Sequence, residues 1–301
     1  EIDRYLIVTV PVAELYREPV DQARLLRENE YLLETQVLLN EILLYRGEND
    51  EWYQVEAIEQ ADFSPDVMWR GYPGWVRKNA VRAFEKVKRN NAVVKEKTAD
   101  VYVDPGQKAE IIATVSMGTR FHVMGEEIHG YSPVSLPDGG NGWVKKGSLR
   151  AMTKRKAGEE RLRKNIVKTA GMLLKTPYLW GGRSAAPAAK GERPERGEDR
   201  KREVGDQPLR SIVTGVDCSG LTSIVFRANN VDVPRNAHVQ WMVTHKTSPD
   251  MVEPGDLLFV SNQGEFYKMN HVMICVGAEE FIEASETDVV VCTNSFRRKF
   301  G

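Results

Sequence analysis

Hydrophobic and polar positions divide the chain into two halves with different periods. Up to Arg150 the apolar residues come in short runs, among them Gln36-Val37-Leu38-Leu39, Tyr53-Gln54-Val55, Glu110-Ile111-Ile112-Ala113-Thr114-Val115 and Arg120-Phe121-His122-Val123-Met124. Runs of this length, separated by Gly47-Glu48-Asn49-Asp50 and Pro137-Asp138-Gly139-Gly140, predict strands joined by turns. From Lys154 to Lys175 the spacing of Leu162, Ile166, Ala170, Leu173 and Leu174 predicts a helix with a basic, solvated outer face. A second helix is predicted behind Cys218, where Leu221, Ile224, Val225 and Ala228 share one face. Pro254-Gly255-Asp256 then turns the chain into Leu257-Leu258-Phe259-Val260. The run from His271 to Val276, a turn at Gly277, and Phe281-Ile282-Glu283-Ala284 complete a small sheet.

The strand-rich half repeats itself. Gly74-Trp75-Val76-Arg77-Lys78-Asn79-Ala80-Val81-Arg82 returns as Gly142-Trp143-Val144-Lys145-Lys146-Gly147-Ser148-Leu149-Arg150. The openings also match: Val12-Ala13-Glu14-Leu15-Tyr16-Arg17-Glu18-Pro19 and Thr98-Ala99-Asp100-Val101-Tyr102-Val103-Asp104-Pro105 each place Tyr three positions before Pro. Two such units resemble bacterial SH3-like domains, small β-barrels spanning 1–85 and 86–152, with Trp75 and Trp143 expected in their cores. Within the first unit, Gln60 to Arg70 reads as an inserted loop. Ser184 to Arg210, rich in Ala, Pro, Gly, Glu and Arg, has almost no large apolar residue and reads as a flexible insertion.

Composition narrows the function classes. A length of 301 residues suits two or three domains, and 41% hydrophobic with 28% charged residues describes an ordinary globular protein. A formal charge of −1 argues against a nucleic-acid partner held by bulk electrostatics. No apolar run reaches the roughly 18 residues of a membrane span, so no membrane insertion is expected. Three widely spaced cysteines suit neither a disulfide scaffold nor a zinc site, and no metal or cofactor is expected. Because the chain opens on Glu1 rather than Met, removal of an initiator, tag or signal peptide is expected.

The cysteines are not equivalent. Cys275 and Cys292 sit inside apolar strand-like runs and read as core residues. Cys218 stands in Val216-Asp217-Cys218-Ser219-Gly220, at a loop-to-helix junction for which Asp217 is a good N-cap. Unpaired N–H groups and the helix dipole would favour an anion there, drawing the thiol from roughly 8.5 into the range of about 3.5 to 7.5. His271 opens a strand and is the candidate base, and alternation with odd-to-odd pairing places Glu283 on its face to orient it. His238 and His245 are rival bases by residue type alone, but neither opens a buried strand.

In order, Tyr178-Leu179-Trp180-Gly181-Gly182, Asp217-Cys218-Ser219-Gly220-Leu221, Val233-Pro234-Arg235, Pro254-Gly255-Asp256-Leu257 and His271-Val272 resemble the NlpC/p60 cysteine peptidases. These are papain-like enzymes that cut peptidoglycan stem peptides. The resemblance covers 153–301 and implies an α+β chain: a papain-like peptidase domain preceded by two SH3-like β-barrels. With those barrels in front, the architecture is similar to the YkfC-type branch, which cleaves between γ-D-glutamate and a diamino acid in peptides with a free N-terminal L-Ala.

The resemblance implies Cys218 as nucleophile, His271 as general base and Glu283 as orienting residue, although the family usually has His, Asn or Gln in the third role. It implies Tyr178 beside the scissile carbonyl, and Asp217 and Ser219 around the substrate's amino end. Tyr72 and Glu34 of the first barrel are the candidates for closing that end of the cleft. Asn236 departs from a common Pro-Arg-Asp pattern. Peptidoglycan-derived peptides are the expected partners. Free-amine specificity and free thiols suit the cytoplasm, and a periplasmic or secreted form follows if a signal peptide was removed. The competing reading is a wall-peptide binding protein whose peptidase half is inactive.

Overall fold

The computed structural model describes residues 4–20, 32–64, 66–84, 88–153, 158–186, 214–261 and 268–300. Seven strands precede Phe84: β1 (Tyr5–Val8), β2 (Val12–Tyr16), β3 (Leu33–Leu38), β4 (Ile42–Glu48), β5 (Trp52–Phe63), β6 (Trp69–Arg77) and β7 (Val81–Ala83). All are antiparallel to their neighbours in one sheet of order β3-β2-β6-β5-β4-β1-β7. Among the described residues no ladder joins β3 to β7, so the closed barrel expected from the repeat is an open sheet. Leu6, Val8, Leu15, Val37, Leu43, Val55 and Val76 pack on its inner face.

The second unit has β8 (Ala92–Val94), β9 (Thr98–Tyr102), β10 (Ile111–Ser116), β11 (Arg120–Phe121), β12 (Tyr131–Ser135), β13 (Asn141–Lys145) and β14 (Leu149–Ala151). They form two ladders, β10-β9-β13-β12 and β11-β8-β14, again without closure among the described residues. The repeat is nonetheless real in the backbone. In both units the Gly-Trp-Val strand runs into a 3-10 turn, Lys78–Ala80 or Lys146–Ser148, and then a short strand. Trp75 and Trp143 are only half-buried, contrary to the core expectation, whereas Gly74, Val76, Gly142 and Val144 are buried. Period-two alternation requires this, because turning the flanking Gly and Val inward sends the indole to the opposite face.

Gln60–Arg70 is also not a loop. Strands β5 and β6 continue past a register shift between Ala57 and Ala61 to pair Phe63 with Trp69, making a long hairpin. It lies against the C-terminal half, where the Arg235 N–H donates to the Ala61 carbonyl at 3.0 Å.

Beyond Met152 come α1 (Glu159–Met172), β15 (Arg183–Ser184), β16 (Gly215–Val216), α2 (Cys218–Arg227), α3 (Ala237–Val243), β17 (Leu257–Val260), β18 (His271–Cys275), β19 (Glu280–Ser285), β20 (Val290–Ser295) and α4 (Phe296–Phe300). The sheet β17-β18-β19-β20 is antiparallel. Ile166 and Ala170 of α1, Leu221, Ile224 and Val225 of α2, and Ile274, Ile282 and Val291 of the sheet share one core. That layering of helix against antiparallel sheet is an α+β arrangement, and it brings the start of α2 to the start of β18. Ser184, Ala185 and Ala186, at the head of the expected flexible insertion, are buried. The remainder of that insertion, residues 187–210, lies outside the described residues.

Candidate active site

Cys218 is the first residue of α2, and Asp217 is its N-cap as the sequence predicts. The Gly220 N–H donates to Asp217 Oδ1 at 2.6 Å, and the Gly181 N–H to Oδ2 at 3.1 Å. Arg235, almost wholly buried, grips both carboxylate oxygens, with Nη1 3.0 Å from Oδ1 and Nη2 2.7 Å from Oδ2. The same Nη1 donates to Ser219 Oγ at 2.9 Å, and Ser219 Oγ donates onward to Asp217 Oδ1 at 3.2 Å. Such a two-pronged guanidinium–carboxylate pair is directional as well as strong. The side-chain polar atoms of Asp217 and Ser219 therefore serve the turn that carries the sulfur.

The thiol itself departs from the expectation of an acidic helix-start cysteine. Cys218 keeps part of its surface open, yet its thiol is pushed up to about 12. Burial is the main cause and the Asp217 carboxylate the second; the Val272 and Ser219 N–H groups and the Arg235 guanidinium act in the opposite direction. The physical reason is local. Asp217 occupies the helix start with its own negative charge, so the dipole there is already answered. Both causes favour the protonated thiol over the thiolate.

His271 opens β18, and its neighbour Val272 supplies the N–H that reaches the Cys218 sulfur. Pairing of Cys275 with Phe281 and Ile274 with Ile282 sets odd against odd, which puts Glu283 on the imidazole's face. His271 Nε2 lies 2.6 Å from Glu283 Oε2. Glu283 is fully buried, and its carboxyl is held down at about 2. Burial opposes that, but hydrogen bonds from His271, Lys299 and Asn294 prevail. An ionised carboxylate can only accept, so Nε2 carries a proton and Nδ1 is the nitrogen turned away from Glu283. The rival histidines lie elsewhere in function: the His238 ring stacks on Trp241 at 5.8 Å, and His245 is exposed.

Tyr178, half-buried, pairs alongside Val216 just ahead of the nucleophile turn. Burial and the nearby Asp217 and Cys218 raise its phenol above the usual range. Tyr72 and Glu34, proposed from the sequence as partners across insertions, are in contact: the Tyr72 hydroxyl is 3.0 Å from Glu34 Oε2. It is also 3.4 Å from Asn236 Oδ1 in the C-terminal half. Burial and the Glu34 carboxylate raise the Tyr72 phenol. Asp62, on the hairpin extension, joins Asn236 from the other side. All eight sequence candidates thus fall in two neighbouring clusters, joined by Arg235, whose Nε donates to Thr35 Oγ1 at 2.7 Å.

Sequence reasoning missed Thr35, Asn294 and Lys299. Lys299 stands in Arg297-Arg298-Lys299, a run that reads as solvated charge, and only the packing of α4 on β20 turns it inward. Glu283, Asp288 and Cys292 also lie close together, but Glu283 is engaged by His271, Asn294 and Lys299.

A protonatable thiol, a strand-borne imidazole and an orienting carboxylate define a cysteine peptidase site. The chain is a cysteine peptidase, and its residues 175–300 match the model of the NlpC/P60 family. It is similar to the Gamma-D-glutamyl-L-lysine dipeptidyl-peptidase of Bacillus subtilis (strain 168), 26% identical over 85% of this chain and 73% of that protein. It is also similar to Dipeptidyl-peptidase 6 of Lysinibacillus sphaericus, 26% identical over 93% of this chain and 87% of that one. The fold matches the crystal structure of an NlpC/P60 family protein from Bacillus cereus ATCC 10987, with a TM-score of 0.75 at 20% identity, over 98% and 95% of the two chains.

Proposed function

We propose that this peptidase hydrolyses the γ-D-glutamyl–diamino acid bond of peptidoglycan stem peptides whose N-terminal L-Ala is free. The observation that carries the reading is a contact between the N-terminal sheet and the peptidase half. Glu34 and Tyr72, from the N-terminal sheet, meet Asn236 beside the turn that bears Cys218. The Glu34 carboxylate, which Arg17 also pairs at 2.6 Å, suits the ammonium group of a free peptide end. The relatives named dipeptidyl-peptidases support release of a two-residue product. Asp217 and Ser219 frame this end through Arg235, and Tyr178 lines the wall near the scissile carbonyl. We read 1–85 and 86–152 as SH3-like units and 153–301 as the peptidase domain.

In the mechanism, His271 Nδ1 takes the thiol proton as Cys218 Sγ attacks the γ-carbonyl of D-glutamate. Backbone N–H groups at the start of α2 hold the oxyanion, an interaction worth roughly 3 to 4 kcal/mol when one donor is lost. The imidazolium then protonates the leaving amine, and a thioester remains. Water, deprotonated by the same nitrogen, releases the dipeptide. A thiol raised by burial and by Asp217 favours proton transfer concerted with the attack.

The test is mass spectrometry of products from L-Ala-γ-D-Glu-diaminopimelate beside intact peptidoglycan. Release of L-Ala-γ-D-Glu from the free peptide alone is expected, and Cys218→Ala should abolish it without altering the fold. Turnover by Cys218→Ala, or equal attack on the N-blocked wall peptide, overturns the reading.

A further inference from the structure

A buried carboxylate beside a histidine normally creates an ion pair, because the negative charge favours imidazolium over imidazole. That is unhelpful when the sulfur keeps its proton, since the imidazole must then be free to accept it. The surroundings of Glu283 resolve the conflict. Oε2 receives both His271 Nε2 and the Lys299 ammonium, and Oε1 receives the Asn294 amide at 3.1 Å. Lys299 comes from α4, which Phe296 and Phe300 fasten against Phe281 of β19. One full positive charge thus rests on the oxygen that orients the imidazole.

We propose that Lys299 is a positioning residue that cancels the charge of Glu283, so that the carboxylate–ammonium pair presents a net-neutral acceptor to His271. The pair then orients the ring as a neutral amide would, while leaving Nδ1 basic in the resting protein. This rests on the assignment of His271 as the base.

The other groups around the carboxylate do not supply the same cancellation. From β18 comes only His271 itself, and β20 contributes the neutral Asn294 amide and the Cys292 thiol. Cys292 is itself held by Asp288, which raises the thiol, and Arg298 of α4 pairs with Asp288 at 3.6 Å. At the start of α2, Cys218 is protonated, and Asp217 is matched by Arg235. Lys299 is the cation that touches Glu283 among the described residues.

The test uses the full chain in a Cys218→Ala background, where the His271 imidazole is titrated by heteronuclear NMR without any need for turnover. With Lys299→Met the ring should lose its proton about one pH unit higher than in the parent, because the carboxylate charge is uncovered. Glu283→Gln should move it the other way, by exposing the ring to Lys299 alone. The double replacement Glu283→Gln with Lys299→Met removes equal and opposite charges and should return the midpoint to within about 0.3 of the parent. Lys299→Arg should hold it there too. In the enzyme with Cys218 intact, the acidic limb of kcat/KM should follow the same order.

A folded Lys299→Met protein with an unmoved midpoint overturns the proposal. If that variant fails to fold, a double variant that titrates a full unit from the parent overturns it equally. Failure of the peptide reading is separable: the titration would keep its order while the free tripeptide stays uncut.

Discussion

At the residue scale, the nucleophile's position depends on an atom that is missing. A β-carbon on Gly220 would lie 2.0 Å from the Gly182 carbonyl oxygen, far inside contact distance. The first turn of α2 can approach the Gly181–Gly182 loop only without it. The closeness also lets the Gly181 and Gly220 N–H groups converge on Asp217. Gly220→Ala must push the loop or the helix start away, and with it Cys218. A misplacement near 1 Å can cost about a hundredfold in rate. We expect kcat/KM on the free tripeptide to fall by about that factor, with a lowered thermal midpoint. Unchanged kinetics in Gly220→Ala would remove this close approach from the account of the site. The cap and the helix start were readable in Asp217-Cys218, because they lie side by side; the close approach at Gly220 was not, since it needs the loop from Gly181 to Gly182. The acidity of the thiol was not, since it depends on burial and on a carboxylate whose charge opposes the dipole.

At the scale of the element, strand β19 is buried from Phe281 to Ser285 on both faces, and Glu283 is the charged residue within that buried run. Alternation and the Gly277 turn sufficed to foresee that this carboxylate faces the imidazole. They could not show how its charge is tolerated, because Lys299 reaches it from a helix sixteen residues on. Strand β5 teaches the same lesson from its other end. Glu59-Gln60-Ala61-Asp62 looks like a loop because its polar residues break the strand pattern. Gln60 is buried instead, donating to the Gln36 carbonyl and to Glu41 and accepting from Thr35.

A depressed carboxyl makes the β19 region acid-labile in a defined window. Its stabilisation is fully present above the ordinary carboxylate value of 4.5 and is lost as pH falls through about 2. That interval corresponds to about 3 kcal/mol. Urea unfolding at pH 6, 4 and 2.5 should show the lead of the wild type over Glu283→Gln with Lys299→Met shrinking as pH drops. A lead that stays constant would mean that Glu283 titrates normally in the fold.

At the scale of the molecule, the three units are welded rather than strung. Leu39 of the first unit packs into the core of the second, and Met117 of the second packs into the core of the C-terminal half. Between them lies a chain of charges, buried at Glu41, Arg183 and Arg227. Glu41, at the turn before β4, is 2.6 Å from Arg183 of β15 and 3.7 Å from Arg227 at the end of α2. Arg227 also holds Glu59 at 2.6 Å and Asp232 at 3.2 Å, and Asp232 takes two bonds from Arg120 of the second unit. The repeat and the motif order suggested three units, but this assembly could not be read from them. Its members are separated by up to 191 positions, from Glu41 to Asp232, and look like ordinary surface charges until the units meet.

The consequence concerns cooperativity. Separating the N-terminal sheet from the peptidase half would leave Arg183 and Arg227, each only 1% exposed, without Glu41. Burying a charge without its partner is strongly unfavourable, so the units should unfold together. Calorimetry is expected to give one transition for the whole chain. Glu41→Gln, which keeps shape but removes the charge, should lower stability by roughly 3 to 5 kcal/mol and shift that single transition intact. The proposed amino-end subsite also depends on this joint, because Thr35 and Gln60 connect Glu41 to Arg235. The variant should therefore raise KM for the free tripeptide more than it lowers kcat. Two separate transitions, with the peptidase half melting at the wild-type temperature in Glu41→Gln, would show that the charges decorate the joint rather than hold it.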